Sequence, residues 1–573
     1  MLPEAIAQKI AAGEVIERPA SVVKELMENA IDAGASEILV ELRSGGLQLI
    51  RVVDNGEGMN PEDVPLALQR FATSKIRSAE DLYSINTLGF RGEALPSILS
   101  VSQMVLRTRP SHLLSGTKVV AEGGGVKQIL ETGCPVGTEI EVHQLFYNFP
   151  VRRKFLKSIR TELRYALHHF LRISLAHPSI TFRFIHDGRS LEELIKTDSP
   201  RIRVEAVLGQ EVAGHLEAVQ CEEDEIRIEG FVTLPSFSKR NGEGISIYIN
   251  RRHVKDRITY KALLDAYRHI LPADRYPVAV LFIRLAPSSV DVNVHPTKAE
   301  VKFKEPERVY EAVWSCVRRT LEDGSLHKKG ETPEGLLEFI PKNELQPSFS
   351  FHSSRDSFTQ WGKEGIISKA AEGEISWNTE QRGPYRIVGQ IWGTYILCET
   401  EGMLLIIDQH AAHERVLYEK LKKRWNEQAP VSETLLLPVM MELSPEESLL
   451  LESNQSAFEE VGFEIEPAGK RLYAIRSIPS LIEPKEVEER VREILEELSS
   501  IKREGEGLAS LHPLLISLAC HSAVRAQSSL RGEEIEELIA QIYPFNPSAT
   551  CPHGRPIFFS LSLDELNRRF KRN

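Results

Sequence analysis

The stretch PASVVKELMENAIDAGA, residues 19–35, decides how the first half of the chain is read. Pro19 and Ser21 mark a helix start, and in that helix Glu25, Asn29 and Asp32 stand at i, i+4 and i+7, on one face. An amide oxygen can ligate Mg²⁺, and a carboxylate one turn away can take a proton from an attacking water, so the spacing suits hydrolysis of a terminal phosphate. On its own, E-x-x-x-N is equally the pattern of a solvated polar stripe.

The following segments extend that reading. No GxxxxGK[ST] run is present, so ATP would have to be cradled without a P-loop. The strand LIRVVD, residues 49–54, leads into Asn55-Gly56-Glu57-Gly58-Met59. Its two glycines let the backbone approach a flat ligand, and Asp54 can accept from an exocyclic amine, although DNGEG alone is also an ordinary turn. Gly89-Phe90-Arg91-Gly92-Glu93-Ala94-Leu95 enters a helix, whose N-terminal amides suit phosphate, and Gly137-Thr138 precedes the strand EIEV.

These motifs, in this order and spacing, resemble the GHKL (Bergerat-fold) ATPases. KELMENAIDAGA (24–35), FATSK (71–75) and LGFRGEAL (88–95) resemble the MutL family of DNA mismatch-repair proteins in particular. The resemblance implies Glu25 as general base, Asn29 as Mg²⁺ ligand and Asp54 as adenine contact. Gly58 would shape the pocket, and Thr73, Arg91, Gly92 and Thr138 would line the phosphates or the lid. Asp32 is expected to be structural. In VDVNVHPTKAEVKF (290–303), alternation buries Val292, Val294, Val301 and Phe303, with Lys298 at the turn. Lys298 reads as a surface lysine from the sequence; the resemblance makes it the residue that reaches the γ-phosphate of ATP.

Composition sets the frame. The 573 residues suit three or four domains, and 42% hydrophobic with 27% charged residues is the balance of a soluble globular chain. No stretch is apolar enough to span a membrane, and charges early in the N-terminus argue against a signal peptide, so a cytoplasmic, nucleoid-associated protein is expected. Six scattered cysteines read as reduced thiols. A net charge of -12 excludes a uniformly basic surface, so contact with DNA must be local. The expected fold class is multidomain α/β: a GHKL α/β sandwich (1–204), an α/β transducer domain (205–324), a flexible linker (325–384), and a C-terminal α/β dimerisation and endonuclease domain (385–573) with an inserted subdomain at about 433–510. YRIVGQIWGTYILCETEGMLLIID (385–408) reads as a two-stranded hairpin around ETEG.

Two basic clusters stand out. VRRKFLKSIRTELR (151–164) sets Arg153, Lys157, Arg160 and Arg164 along one helix face, and Arg251 to Arg257 form the second. Such runs are commonly solvated surface, but two of them joined in a dimer would suit sequence-independent contact with DNA phosphates. In the family the second segment reads N-G-R, and Arg252 matches its DNA-binding arginine, with Arg251 in place of the glycine.

Asp408-Gln409-His410-Ala411-Ala412-His413-Glu414 follows an apolar strand and puts His410 and Glu414 one helical turn apart. Cys551 and His553, two apart in an extended stretch, can chelate from one side. Thiolate and imidazole favour Zn²⁺, and the carboxylates also suit Mn²⁺ or Mg²⁺. Residues 408–419 match the family's D-Q-H-A-x-x-E-x-x-x-x-E endonuclease signature, which implies a latent nuclease with Asp408, His410, Glu414, Cys551 and His553 at the metal, and Glu419, Cys520 and Arg525 next. The alternative is a zinc that only staples the fold of a non-nuclease adaptor. Glu433 to Pro438 resembles the family's sliding-clamp peptide with Glu433 in place of glutamine; its leucines also read as a buried strand. The resemblance implies an ATP-gated homodimer that couples the mismatch-recognition protein MutS to strand nicking.

Overall fold

The structure is a computed structural model. It describes residues 16–327 and 385–571 apart from 74, 76–86, 90–91, 224, 273–274, 292–300, 401, 427–431, 481, 502–518, 520–529, 543–549 and 553–554. Lys298, Arg91, His553, Cys520, Arg525, Val292 and Val294 therefore lie outside the described residues.

The first helix, α1 (Pro19–Asp32), begins with its proline at the first position, where the missing N–H costs nothing, and buries Val22, Val23, Leu26, Met27 and Ala30. It packs with α2 (Ala94–Ser100) and the later helix Ile159–Ala176 on an eight-stranded sheet. The strands are β1 (Glu37–Arg43), β2 (Leu49–Asp54), β3 (Gln103–Arg109), β4 (Gly116–Glu122), β5 (Gly125–Thr132), β6 (Gly137–His143), β7 (Thr181–His186) and β8 (Arg189–Leu194). Their order is β5-β4-β3-β6-β2-β1-β7-β8, and the β1/β7 pair alone among them is parallel. Because β2 pairs with β6, Asp54 stands directly across the ladder from Thr138.

The basic run 151–164 is two helices, not one. α3 (Pro150–Phe155) stops at Leu156, whose ψ of 144° is extended, and Ser158 accepts the Thr161 amide to cap α4 (Ile159–Ala176). Arg153 and Lys157 thus do not share a continuous face with Arg160 and Arg164.

A second sheet follows: β9 (Leu216–Glu223), β10 (Ile226–Thr233), β11 (Ile245–Ile249), β12 (Arg252–Val254) and β13 (Ala279–Arg284), in the order β12-β11-β13-β10-β9. β11 and β13 run parallel, so the chain must cross over between them, and α5 (Arg257–Ala266), capped by Asp256, is the crossover. α6 (Pro306–His327) packs on α5 and on β9 and runs past the residue at which the linker was expected to start. Val301 and Phe303 are buried, as alternation required. Cys221 on β9 and Cys316 on α6 form a disulfide, which corrects the expectation of six free thiols. A sequence separation of 95 hides that adjacency from any reading of spacing.

From Tyr385 the expected hairpin is a three-stranded meander: β14 (Tyr385–Ile391), β15 (Tyr395–Thr400) and β16 (Met403–Asp408). The missed turn is Trp392-Gly393, both at positive φ (52° and 60°), the backbone that a tight hairpin between twisted strands requires. α7 (Gln409–Asn426) starts directly after β16. β17 (Ser432–Glu442), β18 (Glu464–Pro467) and β19 (Leu472–Pro479) form a separate sheet, packed with α8 (Pro445–Ser453) and α9 (Val487–Ile501). α10 (Gly532–Ile542), β20 (Phe558–Ser562), which pairs antiparallel with β16, and α11 (Leu563–Arg569), capped by Ser562, follow.

Two compact units result, one of Met1–His327 with Leu417–Ala523, the other of Lys328–Val416 with Val524–Asn573. Within the first unit, residues 432–501 form ion pairs with residues of the first 327, among them Lys239–Glu447, Arg240–Glu497 and Glu211–Arg492.

Candidate functional site

The residues expected at the nucleotide site form two groups, one around Asp54 at the end of β2 and one around Asn29 and Asp32 on α1. Asp54 is partly buried, and burial pushes its carboxyl up to about 6 even though its Oδ1 accepts the amides of Gly56 (2.9 Å) and Thr138 (3.2 Å). Thr138 Oγ1 in turn shares a 3.0 Å hydrogen bond with Thr108 Oγ1, which also accepts the Met59 amide. The Thr108 contribution comes from sheet register, and no sequence signal marked it. Gly58 has φ +70°, and a Cβ there would stand 2.4 Å from the Arg109 carbonyl oxygen, so only glycine fits.

Glu25 lies on α1 with Lys24 Nζ 3.7 Å from its Oε1. Asn29 Oδ1 accepts from Lys75 Nζ at 3.2 Å, and the same ammonium meets Asp32 Oδ2 at 2.6 Å. Asp32 also receives the Leu88 amide on Oδ1 and the Gly89 amide on Oδ2, each at 2.9 Å. It therefore ties α1 to the glycine segment 87–89 as well as to the FATSK segment. Thr73 Oγ1 accepts the Lys75 amide at 3.1 Å, and the Gly92 carbonyl accepts the Phe71 amide at 3.1 Å, so both motifs meet beside Asn29.

In the second unit, Asp408 Oδ1 accepts the amides of His410 and Ala411, each at 3.0 Å, and so caps α7. His410 Nε2 lies 3.1 Å from Glu414 Oε1, and the Glu414 side chain is 5% exposed. Cys551 is buried in one core with Ala411, Ala412 and Val416 of α7. Two bonds fix it there: Arg415 donates to the Thr550 carbonyl at 3.1 Å, and the Cys551 amide donates to Arg555 O at 2.8 Å. Among the described residues no group of three or more His, Cys, Asp or Glu side chains is close enough to enclose a metal ion. Glu414, His410 and the Cys551 thiol nevertheless have the donor chemistry for one, on elements that share a core.

Comparison with known proteins gives the family. Residues 14–108 match the histidine kinase-, DNA gyrase B-, and HSP90-like ATPases. Residues 204–322 match the C-terminal domain of DNA mismatch repair proteins, and residues 388–530 match the MutL C terminal dimerisation domain. The chain is 40% identical to the DNA mismatch repair protein MutL of Geotalea uraniireducens (strain Rf4), over 100% of this chain and 99% of that one. It belongs to the MutL family. The MutL of Syntrophotalea carbinolica is 37% identical over 100% of this chain and 99% of its own length. As a family member, the chain is a multidomain α/β mismatch-repair protein with a GHKL ATPase domain that binds ATP and a MutL dimerisation domain. Among the described residues no helix is long and apolar enough to cross a membrane.

The residues expected to meet DNA divide. Arg153 and Lys157 are exposed. Arg252, matched above to the family's DNA-binding arginine, is buried at 7% exposure, and its Nη2 donates to the carbonyls of Thr87 and Leu88, each at 3.0 Å. A phosphate has no access to it in this conformation; Arg251, whose φ is +67°, is the exposed neighbour. Leu436 and Leu437 stand in a bulge of β17 between Thr434 and Val439 and are exposed, which overturns their reading as a buried strand.

Proposed function

We propose that this chain is an ATP-gated homodimer that couples mismatch recognition, through MutS, to metal-dependent nicking of DNA. In the ATPase domain, Asp54 selects adenine, Asn29 holds Mg²⁺, and Glu25 takes the proton of the attacking water. Thr73, Arg91, Gly92 and Thr138 line the phosphates, and Lys298 reaches the γ-phosphate from the transducer domain. Asp32 and Arg252 grip the glycine lid from two sides, so ordering of that lid over ATP would be felt in both domains. The dimerisation domains keep two ATPase domains together, and the tether makes their closure effectively intramolecular.

The observation that carries the nuclease is the packing of Cys551 against α7, the helix that presents His410 and Glu414. Asp408, His410, Glu414, Cys551 and His553 would hold Zn²⁺ or Mn²⁺, which would activate water and stabilise the leaving oxygen of a phosphodiester. Arg153 and Lys157 supply sequence-independent phosphate contacts. The exposed Leu436 and Leu437 fit a docking peptide for the replication sliding clamp.

One observation favours the adaptor with a structural metal: Asp408 Oδ1 is already spent on two backbone amides. Incubating the chain with supercoiled plasmid and Mn²⁺ separates the readings. Nicking that disappears in Asp408→Asn and in Glu414→Gln supports the nuclease; no nicking, or nicking that survives both changes, leaves the adaptor.

A further inference from the structure

Residues 432–501 lie against the basic face of α4. Arg160 donates to the Ser453 carbonyl at 2.6 Å, Arg164 to the Ser499 carbonyl at 3.4 Å, and His168 Nδ1 meets Glu446 Oε1 at 2.6 Å. Arg160, Arg164 and His168 are successive i, i+4 positions, so one stripe of α4 is engaged along two turns. Ser453 is the last residue of α8 and Ser499 lies in the last turn of α9. Both arginines thus meet the carbonyl ends of helices, where the backbone dipole is negative. What faces this basic stripe is a set of partial and full negative charges.

The same pattern continues onto the connection between β10 and β11. Arg240 lies 2.6 Å from Glu497 and 3.6 Å from Glu493, while Lys239 lies 3.5 Å from Glu447 and 3.8 Å from Glu496. Glu493, Glu496 and Glu497 occupy one face of α9 at i, i+3 and i+4. Asn241 Nδ2 donates to Ser499 Oγ at 3.2 Å, and Leu449 packs on the core of the ATPase domain. An acidic helix face, two helix carbonyl ends and Glu446 therefore contact five cationic or protonatable side chains that together make a surface suited to a polyanion.

We infer that residues 432–501 act as an intramolecular anion that occupies the surface of Arg160, Arg164, Lys239 and Arg240, and that duplex DNA must displace this segment to use it. Arg153 and Lys157 stay exposed at the edge, where a duplex can first engage before the segment leaves. The inference rests on the proposal that this face binds DNA. Both ligands satisfy the same donors, so they exclude each other, and the competition weakens as salt screens the DNA contacts.

Two variants of the full chain test it. Glu493→Gln with Glu497→Gln removes the carboxylates on Arg240, and Asn241→Cys with Ser499→Cys locks the segment down when oxidised. Hydrogen exchange across residues 487–501 reports docking, and anisotropy of a labelled duplex at low salt reports binding. The glutamine variant is expected to exchange faster in α9 and to bind duplex about tenfold more tightly. The oxidised cysteine variant is expected to bind at least tenfold more weakly and to recover on reduction. A loosened α9 with unchanged duplex affinity, or an oxidised form that binds as well as its reduced form, overturns the inference. Should the glutamine variant leave α9 docked, the cysteine pair decides alone. Failure of the underlying DNA reading is seen separately, as wild-type duplex affinity that Arg153→Glu with Lys157→Glu does not reduce.

Discussion

Gly89 donates its backbone N–H to the Asp32 carboxylate at 2.9 Å, across 57 residues of sequence. The same carboxylate takes the Leu88 amide and the Lys75 ammonium, so a residue expected to be structural ties residues 88–89, the proposed lid, to α1. Asp32→Ala removes three charge-assisted bonds, each worth about 1.5–3 kcal/mol when a charged group is involved. Exchange of the Leu88 and Gly89 amides is expected to rise by at least about tenfold, and ATP turnover to fall. Unchanged protection of those two amides would show that the lid is held by something else.

Glu25→Ala is expected to leave ATP binding within about twofold and to abolish hydrolysis, since loss of a positioned general base costs about 10²–10⁴ in rate. Radiolabelled binding and phosphate release, measured on one preparation, check both halves. Turnover that persists would remove Glu25 from its role.

Asp54, the proposed adenine contact, is expected to make nucleotide binding sensitive to acid. Burial raises its carboxyl to about 6, so it is ionised above that pH and protonated below it. Only the ionised form offers both oxygens as acceptors to an exocyclic amine. Affinity should therefore be level from pH 8 to about 7 and fall below about 6, approaching tenfold per unit as protonation competes. Calorimetric titration from pH 8 to 5 tests this, and a flat profile in which Asp54→Ala still binds would contradict it.

The Cys221–Cys316 bond joins two residues 95 apart, both within the segment 204–322. Under the chain-entropy account, such a loop is worth up to about 4 kcal/mol through its effect on the unfolded state. Thiol titration of unfolded, unreduced protein is expected to find two fewer thiols than the six in the sequence. Reductant should lower the denaturant midpoint of the wild type and leave Cys221→Ser with Cys316→Ser unmoved. Six titratable thiols would contradict the bond.

Much of the ATPase domain was legible because its signals are local. Proline at a helix start, three polar residues at i, i+4 and i+7, and a glycine-rich turn straight after a strand can each be read within a few residues. What escaped depends on register or on long-range contact. Asp32 and Arg252 both act on residues 87–89, yet neither has a sequence neighbour that reveals the lid. The break at Leu156 and the turn at Trp392-Gly393 were lost because charge pattern and apolar content run straight through them. The docking of residues 432–501 joins segments more than 250 residues apart, a distance no motif spans.

The central proposal is a metal held jointly by α7 and the segment at Cys551. Cobalt added to the metal-free full chain reads this, because a thiolate ligand gives a near-ultraviolet sulfur-to-cobalt band while carboxylate and imidazole ligands alone do not. The band is expected in the wild type, is expected to vanish in Cys551→Ser, and should weaken in His410→Ala and Glu414→Gln. A band that survives loss of Cys551, or that the α7 variants leave untouched, would mean that the two segments do not share a metal.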